Sequence, residues 1–133
     1  MKSVFADAVY FLALLSPADQ WHAKARSLSM ESRSPLLTTE FVLTEVGDGL
    51  SRPENRGQFA RLLVSLQSQP DVEIVPATSE LWRQGCELHA QRPDKEWSLT
   101  DCTSFVVMEQ RGIVEALTSD RHFEQAGFRL LIR

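Results

Sequence analysis

Lys2-Ser3-Val4-Phe5-Ala6-Asp7 is a short apolar run that stops at a carboxylate, and Ala8–Leu15 (AVYFLALL) then continues without a charged residue. The first run has the length and the Val/Phe content of a buried strand. The second reads as a helix buried on most of its surface. A buried strand leading into a buried helix is the opening of a parallel sheet with helices between its strands. Ligands of such sheets bind just beyond the carboxyl ends of the strands, which is where Asp7 stands. Asp is also a favoured helix N-cap, and from this segment alone capping is the simpler account of Asp7.

The composition sets the frame for that reading. The 133 residues suffice for one domain, 1–133, with a full core. With 43% hydrophobic and 24% charged residues the chain falls in the soluble globular class. The run after Asp7 is too short to span a membrane, and it lacks the basic start and cleavage site of a secretory signal. Cys86 and Cys102, the only cysteines, have no metal-ligand spacing, which points to buried thiols in a reduced cytoplasm. A formal net charge of -4 argues against non-specific coating of nucleic acid, yet allows a small basic patch beside an acidic pocket.

Further along, Ser16–Asp19 reads as a turn, and Trp21, Ala25 and Leu28 form one face of a helix running to about Glu31. Lys24 and Arg26 lie off that face as ordinary charges. Pro35–Thr38 is a second strand, followed by a helix from Thr38 or Thr39 to Leu50. In that helix Glu40 sits in the first turn, where the helix dipole accounts for it. Glu45 follows Phe41 by one turn and adjoins Val46 on the apolar face, so it needs an ion pair or a polar pocket at the core edge. Glu54–Gln67 is a helix with Phe59, Leu62, Leu63 and Leu66 on one face. Val72–Val75 is a third strand, and Ser79–Gln91 a further helix ended by Pro93.

Ser98 and Asp101 have capping-box spacing at the head of a helix that Gly112 closes. Asp101 shares a stripe with Phe105 and Met108, which turns its carboxylate inward. Ile113–Thr118 forms a fourth strand ending in Ser119-Asp120, and a short helix closed by Gly127 leads to a last strand, Phe128–Ile132. Asp7 and Asp120 thus lie at strand ends, Asp101 opens a helix, and Glu45 faces the core edge. If the strands are parallel, all four can meet at one end of the sheet. Gathered carboxylates raise one another's pKa unless a cation is present, and oxygen donors suit Mg²⁺ or Mn²⁺. The chemistry indicated is metal-assisted phosphodiester hydrolysis.

The order VFAD, TTEFVLTEV, WSLTDCTSFVVMEQRGI and ALTSDRHFEQAGFRLL resembles the PIN domain, in particular the small VapC-type toxins of bacterial toxin–antitoxin pairs. The resemblance covers essentially the whole chain, most specifically in its last two segments. It implies an α/β fold, three-layer α/β/α with a mainly parallel sheet of four to five strands. The activity it implies is Mg²⁺- or Mn²⁺-dependent endoribonuclease, leaving a 5′-phosphate. Its acidic quartet falls on Asp7, Glu45, Asp101 and Asp120 as catalytic metal ligands, with Thr118 and Ser119 as the hydroxyls that accompany the last acid; Ser98, from the capping box, supports Asp101. It further implies an RNA substrate, a small antitoxin partner and a homodimer. The family often carries Thr or Ser directly after its first Asp, where this chain has Ala8.

Arg52, Arg56 and Arg121, with Lys24, are the cations through which RNA could approach the acids. The alternative is a binding module of the same fold with weak or no nuclease activity, for which the apolar helix face Phe59–Leu66 and Ala8 speak. An aspartate-based phosphatase or receiver domain fits less well, since Val9 stands where a second acid is needed and no strand-end lysine follows Asp120. His22, His89 and His122 share no metal-ligand spacing and read as surface or core-edge residues, with His122 the nearest to the acids.

Overall fold

In the computed structural model, which describes residues 2–133, strands and helices alternate: β1 (Val4–Ala6), α1 (Ala8–Leu15), α2 (His22–Glu31), β2 (Leu36–Thr39), α3 (Glu40–Gly49) and α4 (Pro53–Ser68). The second half holds β3 (Val72–Val75), α5 (Ser79–Gln91), α6 (Leu99–Arg111), β4 (Glu115–Leu117), α7 (Arg121–Gln125) and β5 (Arg129–Leu130). All strands are parallel, in the order β3-β2-β1-β4-β5. The result is the expected α/β/α architecture, with five strands and no antiparallel pair among the described residues.

β1 is central, and this explains its unbroken apolar run: Val4, Phe5 and Ala6 are all buried, with Phe5 opposite Leu37 on one side and Ala116 on the other. From β1 the chain builds outward to β2 and β3, then returns to add β4 and β5 on the opposite side. The order therefore reverses between β1 and β4, and the crevice beyond their carboxyl ends is the place where such sheets bind ligands.

Two packing features fix the helices around this crevice. Phe105 of α6 packs edge-on against Trp97 and against Phe123 of α7, with ring centroids 5.0 and 4.9 Å apart. Phe123 in turn lies 6.2 Å from Phe5 of β1, so α7 and the middle of α6 are linked through these rings to the central strand. On the far side of α6, Gly85 of α5 lies so close to Thr103 that an added Cβ would come within 2.5 Å of its methyl group. Gly112 closes α6 with φ 65°, the left-handed cap that glycine adopts without strain.

Several elements are shorter than their apolar runs suggest. β4 covers only Glu115–Leu117, because Ile113 is used to end α6, its N–H donating to Met108 O at 2.9 Å. β5 keeps two of five expected residues. α2 begins at His22, since Asp19 forms a turn of its own by accepting from the Trp21 N–H at 2.8 Å. Among the described residues no helix is long and apolar enough to cross a membrane. Cys86 and Cys102 are both free, and burial pushes the Cys102 thiol up to about 11.

Candidate active site

Asp7 directly follows β1 and is 4% exposed. Its backbone has the extended geometry of a helix N-cap, but its carboxylate caps nothing in α1. Instead Oδ2 accepts from the Thr118 hydroxyl, at 2.9 Å, across the β1–β4 crevice. Burial pushes the Asp7 carboxyl up to about 7; the Thr118 bond and the Ala8 N–H pull it down, and the charges of Asp101 and Glu45 raise it further. A carboxylate held this way is destabilised in its ionised form. It is poised for a cation.

Thr118 has a second task. The Asp120 N–H donates to its oxygen at 3.1 Å, so one hydroxyl ties Asp7 to the segment carrying Asp120. Asp120 then caps α7, Oδ1 accepting from the His122 N–H at 2.9 Å. Asp101 is the third residue of α6 and closes a reciprocal capping box: Ser98 Oγ accepts from its N–H at 3.0 Å, and its Oδ2 accepts from the Ser98 N–H at 3.1 Å. The box leaves Oδ1 without a capping role and aims the side chain at α7.

There the sequence reading needs correction. His122, read as a surface or core-edge residue, has its Nδ1 3.0 Å from Asp101 Oδ2 and 3.5 Å from Asp120 Oδ1. Nδ1 is within hydrogen-bond distance of Asp101 Oδ2, with Asp120 Oδ1 next nearest, so the imidazole stands between the two acids. One atom from each of Asp101, Asp120 and His122 lies within 4.8 Å of the others, a group able to hold a metal ion. Linear spacing could not reveal this, because a single turn of α7 brings His122 back over Asp120.

Glu45 is also placed differently from its expected position. It lies on the exposed side of α3, while Val42 and Val46 take the core. It still belongs to the cluster electrostatically: partial desolvation raises its carboxyl, as do the charges of Asp101 and Asp120 and of Asp48 one turn on. Asp48, passed over in the sequence, thus adds to the negative field. Glu40 is the contrasting acid of α3, its Oε1 accepting from the Ala77 N–H at 2.7 Å in a purely structural contact.

The remaining residues separate into near and far. Ser98 and Thr118 bond directly to the acids. Ser119 instead lines a small cavity on the other side of Asp120, together with Arg121. Arg52 and Arg56 are exposed at the start of α4 and bond to none of the four acids among the described residues. The donor set, carboxylates with one imidazole at its edge, suits a hard divalent cation, and the raised carboxyls of Asp7 and Glu45 mark a charge excess that such an ion offsets.

The sequence profile of the PIN domain matches residues 4–129. The chain belongs to the PIN domain family. Within this PIN family the chain is 32% identical, over 126 residues, to the 23S rRNA-specific endonuclease VapC20 of Mycobacterium tuberculosis, covering 94% of this chain and 95% of the relative. The crystal structure of Mycobacterium tuberculosis VapC20, described as a sarcin–ricin loop cleaving toxin, superposes with a TM-score of 0.84 at 29% identity, covering 94% of this chain and 95% of that one. FitAcB from Neisseria gonorrhoeae, at 16% identity and a TM-score of 0.67, shares the PIN fold over 96% of this chain and 95% of its own. VapBC2 from Rickettsia felis, solved with a DNA fragment from its promoter, does so at 13% identity and a TM-score of 0.67, over 96% of each chain.

Proposed function

We propose that this chain is a Mg²⁺- or Mn²⁺-dependent endoribonuclease, the toxin of a toxin–antitoxin pair, acting on the sarcin–ricin loop of 23S rRNA. The observation that carries the reading is the join across the β1–β4 crevice, where Thr118 links buried Asp7 to Asp120 beside Asp101 and Glu45. The likeness to VapC20 supplies the substrate.

Asp7, Glu45, Asp101 and Asp120 would hold the cation, directly or through water, with His122 steadying two of them. An ion held there would supply Lewis-acid activation of water and neutralisation of charge on the phosphorus oxygens and leaving group. The protein's part is to keep the acids in place. Thr118 fixes the Asp7 oxygen, Ser98 and His122 share Asp101 Oδ2, and the turn of α7 orients Asp120. Arg121, adjacent to Asp120, supplies positive charge for the RNA backbone, with Arg52 and Arg56 more distant contributors. The chain acts as one domain, 1–133, in the cytoplasm, as a homodimer restrained by a small antitoxin.

A synthetic sarcin–ricin hairpin RNA tests this. Cleavage should require Mg²⁺ or Mn²⁺, stop in EDTA, yield a 5′-phosphate, and be lost in Asp101→Asn. Cleavage that persists unchanged in EDTA, or in both Asp7→Asn and Asp101→Asn, would sink the reading.

A further inference from the structure

Beside the acid cluster lies a cavity of about 270 Å³ that the chemistry above leaves unused. Ser119 and Arg121 line it, so it lies against one side of the backbone that carries Asp120, while the Asp120 carboxylate itself turns away toward His122. Trp21 forms another wall, contributed by the turn before α2, and Leu130 and Ile132 give an apolar floor. Both floor residues are buried, whereas Trp21 is half-buried and packs in part against the core. Glu124 and Arg133 also line the cavity and are paired with each other at 2.6 Å, so the one acid in the lining is already neutralised. Arg121 is exposed and makes no ion pair among the described residues.

An indole, a free guanidinium and an apolar floor beside a phosphodiester-cleaving centre are the parts that capture an unstacked base. Single-stranded RNA loops are recognised by stacking splayed bases on aromatic rings and guanidinium planes. The cavity is below the roughly 300–1,000 Å³ of pockets for drug-sized ligands, which fits one planar ring and not an extended segment. From this geometry we infer that the Trp21–Arg121 cavity is a base-binding subsite, holding one nucleobase flanking the scissile phosphate and setting where the RNA is cut. Its neighbour Asp120 fixes the register: the base enters on one side of the β4–α7 turn while its phosphate lies on the other. Because α7 is seated by Phe123 on the central strand, the distance between base and phosphate is rigid, and the subsite acts as a ruler. The inference rests on the nuclease reading.

The experiment uses a 5′-fluorescein sarcin–ricin hairpin RNA and a series in which each nucleotide near the cut is replaced by an abasic residue. Binding is read by anisotropy in EDTA, and cleavage separately in Mg²⁺. Loss of one stacked base corresponds to roughly a tenfold weakening. One abasic position should show that loss, Trp21→Ala should show the same with the intact RNA, and combining them should add nothing further. Trp21→Phe should recover most of the affinity, Arg121→Gln should weaken binding several-fold without touching the core, and Trp82→Ala on exposed α5 should bind as wild type. Independent, multiplying penalties for Trp21→Ala and every abasic site overturn the subsite. So does wild-type binding and cut-site choice in Trp21→Ala and Arg121→Gln, including when those variants weaken a protein partner instead. In that case cleavage by the unaltered protein continues and the nuclease reading stands; if the wild type neither binds nor cuts the RNA, both fail.

Discussion

Thr39 and Asp7 occupy equivalent places in adjoining β–α junctions, and comparing them shows what the site costs. Both end a buried strand, both have extended backbone (φ −129°, ψ 160° and φ −93°, ψ 167°), and both begin the next helix. Thr39 uses its side chain on that helix, Oγ1 accepting from the Val42 N–H at 3.0 Å. Asp7 has the better capping side chain and does not cap. Its carboxylate is turned across the crevice to Thr118 and kept out of water beside other acids, where ionisation is unfavourable. One junction is built for stability, while the other gives up stability for a charge held at a fixed place.

The sharpest way to break this contrast is Asp7→Asn. Loss of a group next to a metal ligand commonly reduces activity or metal affinity 10–100-fold, so with Asp7 a ligand, as proposed, this variant should lower RNA cleavage by at least about 100-fold. The same variant should be more stable than wild type without metal. The native carboxyl of Asp7, at about 7, lies above its unfolded value of 3.8, so the folded state binds the extra proton between those pH values. Stability contributed by the neutral form is complete at low pH and is lost as pH rises through about 7. In EDTA at pH 8, Asp7→Asn should therefore gain on the order of 2 kcal/mol in urea unfolding, and little at pH 4. An equal gain at both pH values would show that the penalty is not one of charge.

Metal addition probes the same charge from the other side. Mg²⁺ well above its Kd should raise the melting temperature of the wild type at pH 8 by about 5 °C, and that of Asp7→Asn by much less. Thr118→Val removes the hydrogen bond that favours the ionised form of Asp7. The acid limb of the cleavage–pH profile should move up by about one unit, with activity recovering at higher pH. Thr39→Ala should produce the smallest change: about 1 kcal/mol lost at every pH, with cleavage per folded molecule unchanged. A pH-dependent loss in Thr39→Ala would erase the distinction between the two junctions.

Much of this was legible in the chain. The run ending at Asp7, the capping box at Ser98 and Asp101, Val72–Val75 and Ser79–Gln91 all appear where local patterns place them. These features depend on neighbours a few residues apart. The parts that were not legible depend on tertiary geometry. Glu45 shares its stripe with core residues, yet α3 sits at the rim of the crevice, so a residue expected at the core edge faces solvent and the other acids. His122 joins the cluster only because α7 is a single turn anchored by Phe123. Trp21 reads as helix-face packing, and its approach to Arg121 depends on how the α1–α2 turn meets β5.

The bond from Thr118 to Asp7 also has a consequence in time. It spans 111 residues, and β1 receives β4 as its neighbour only after nearly the whole polypeptide exists. Until β4 exists, the crevice has no second wall. Asp7 then lacks the Thr118 hydroxyl beside it. On the proposed function, a fragment that ends before β4 lacks one wall of the site, and cleavage should appear only once the segment around Asp120 is in place.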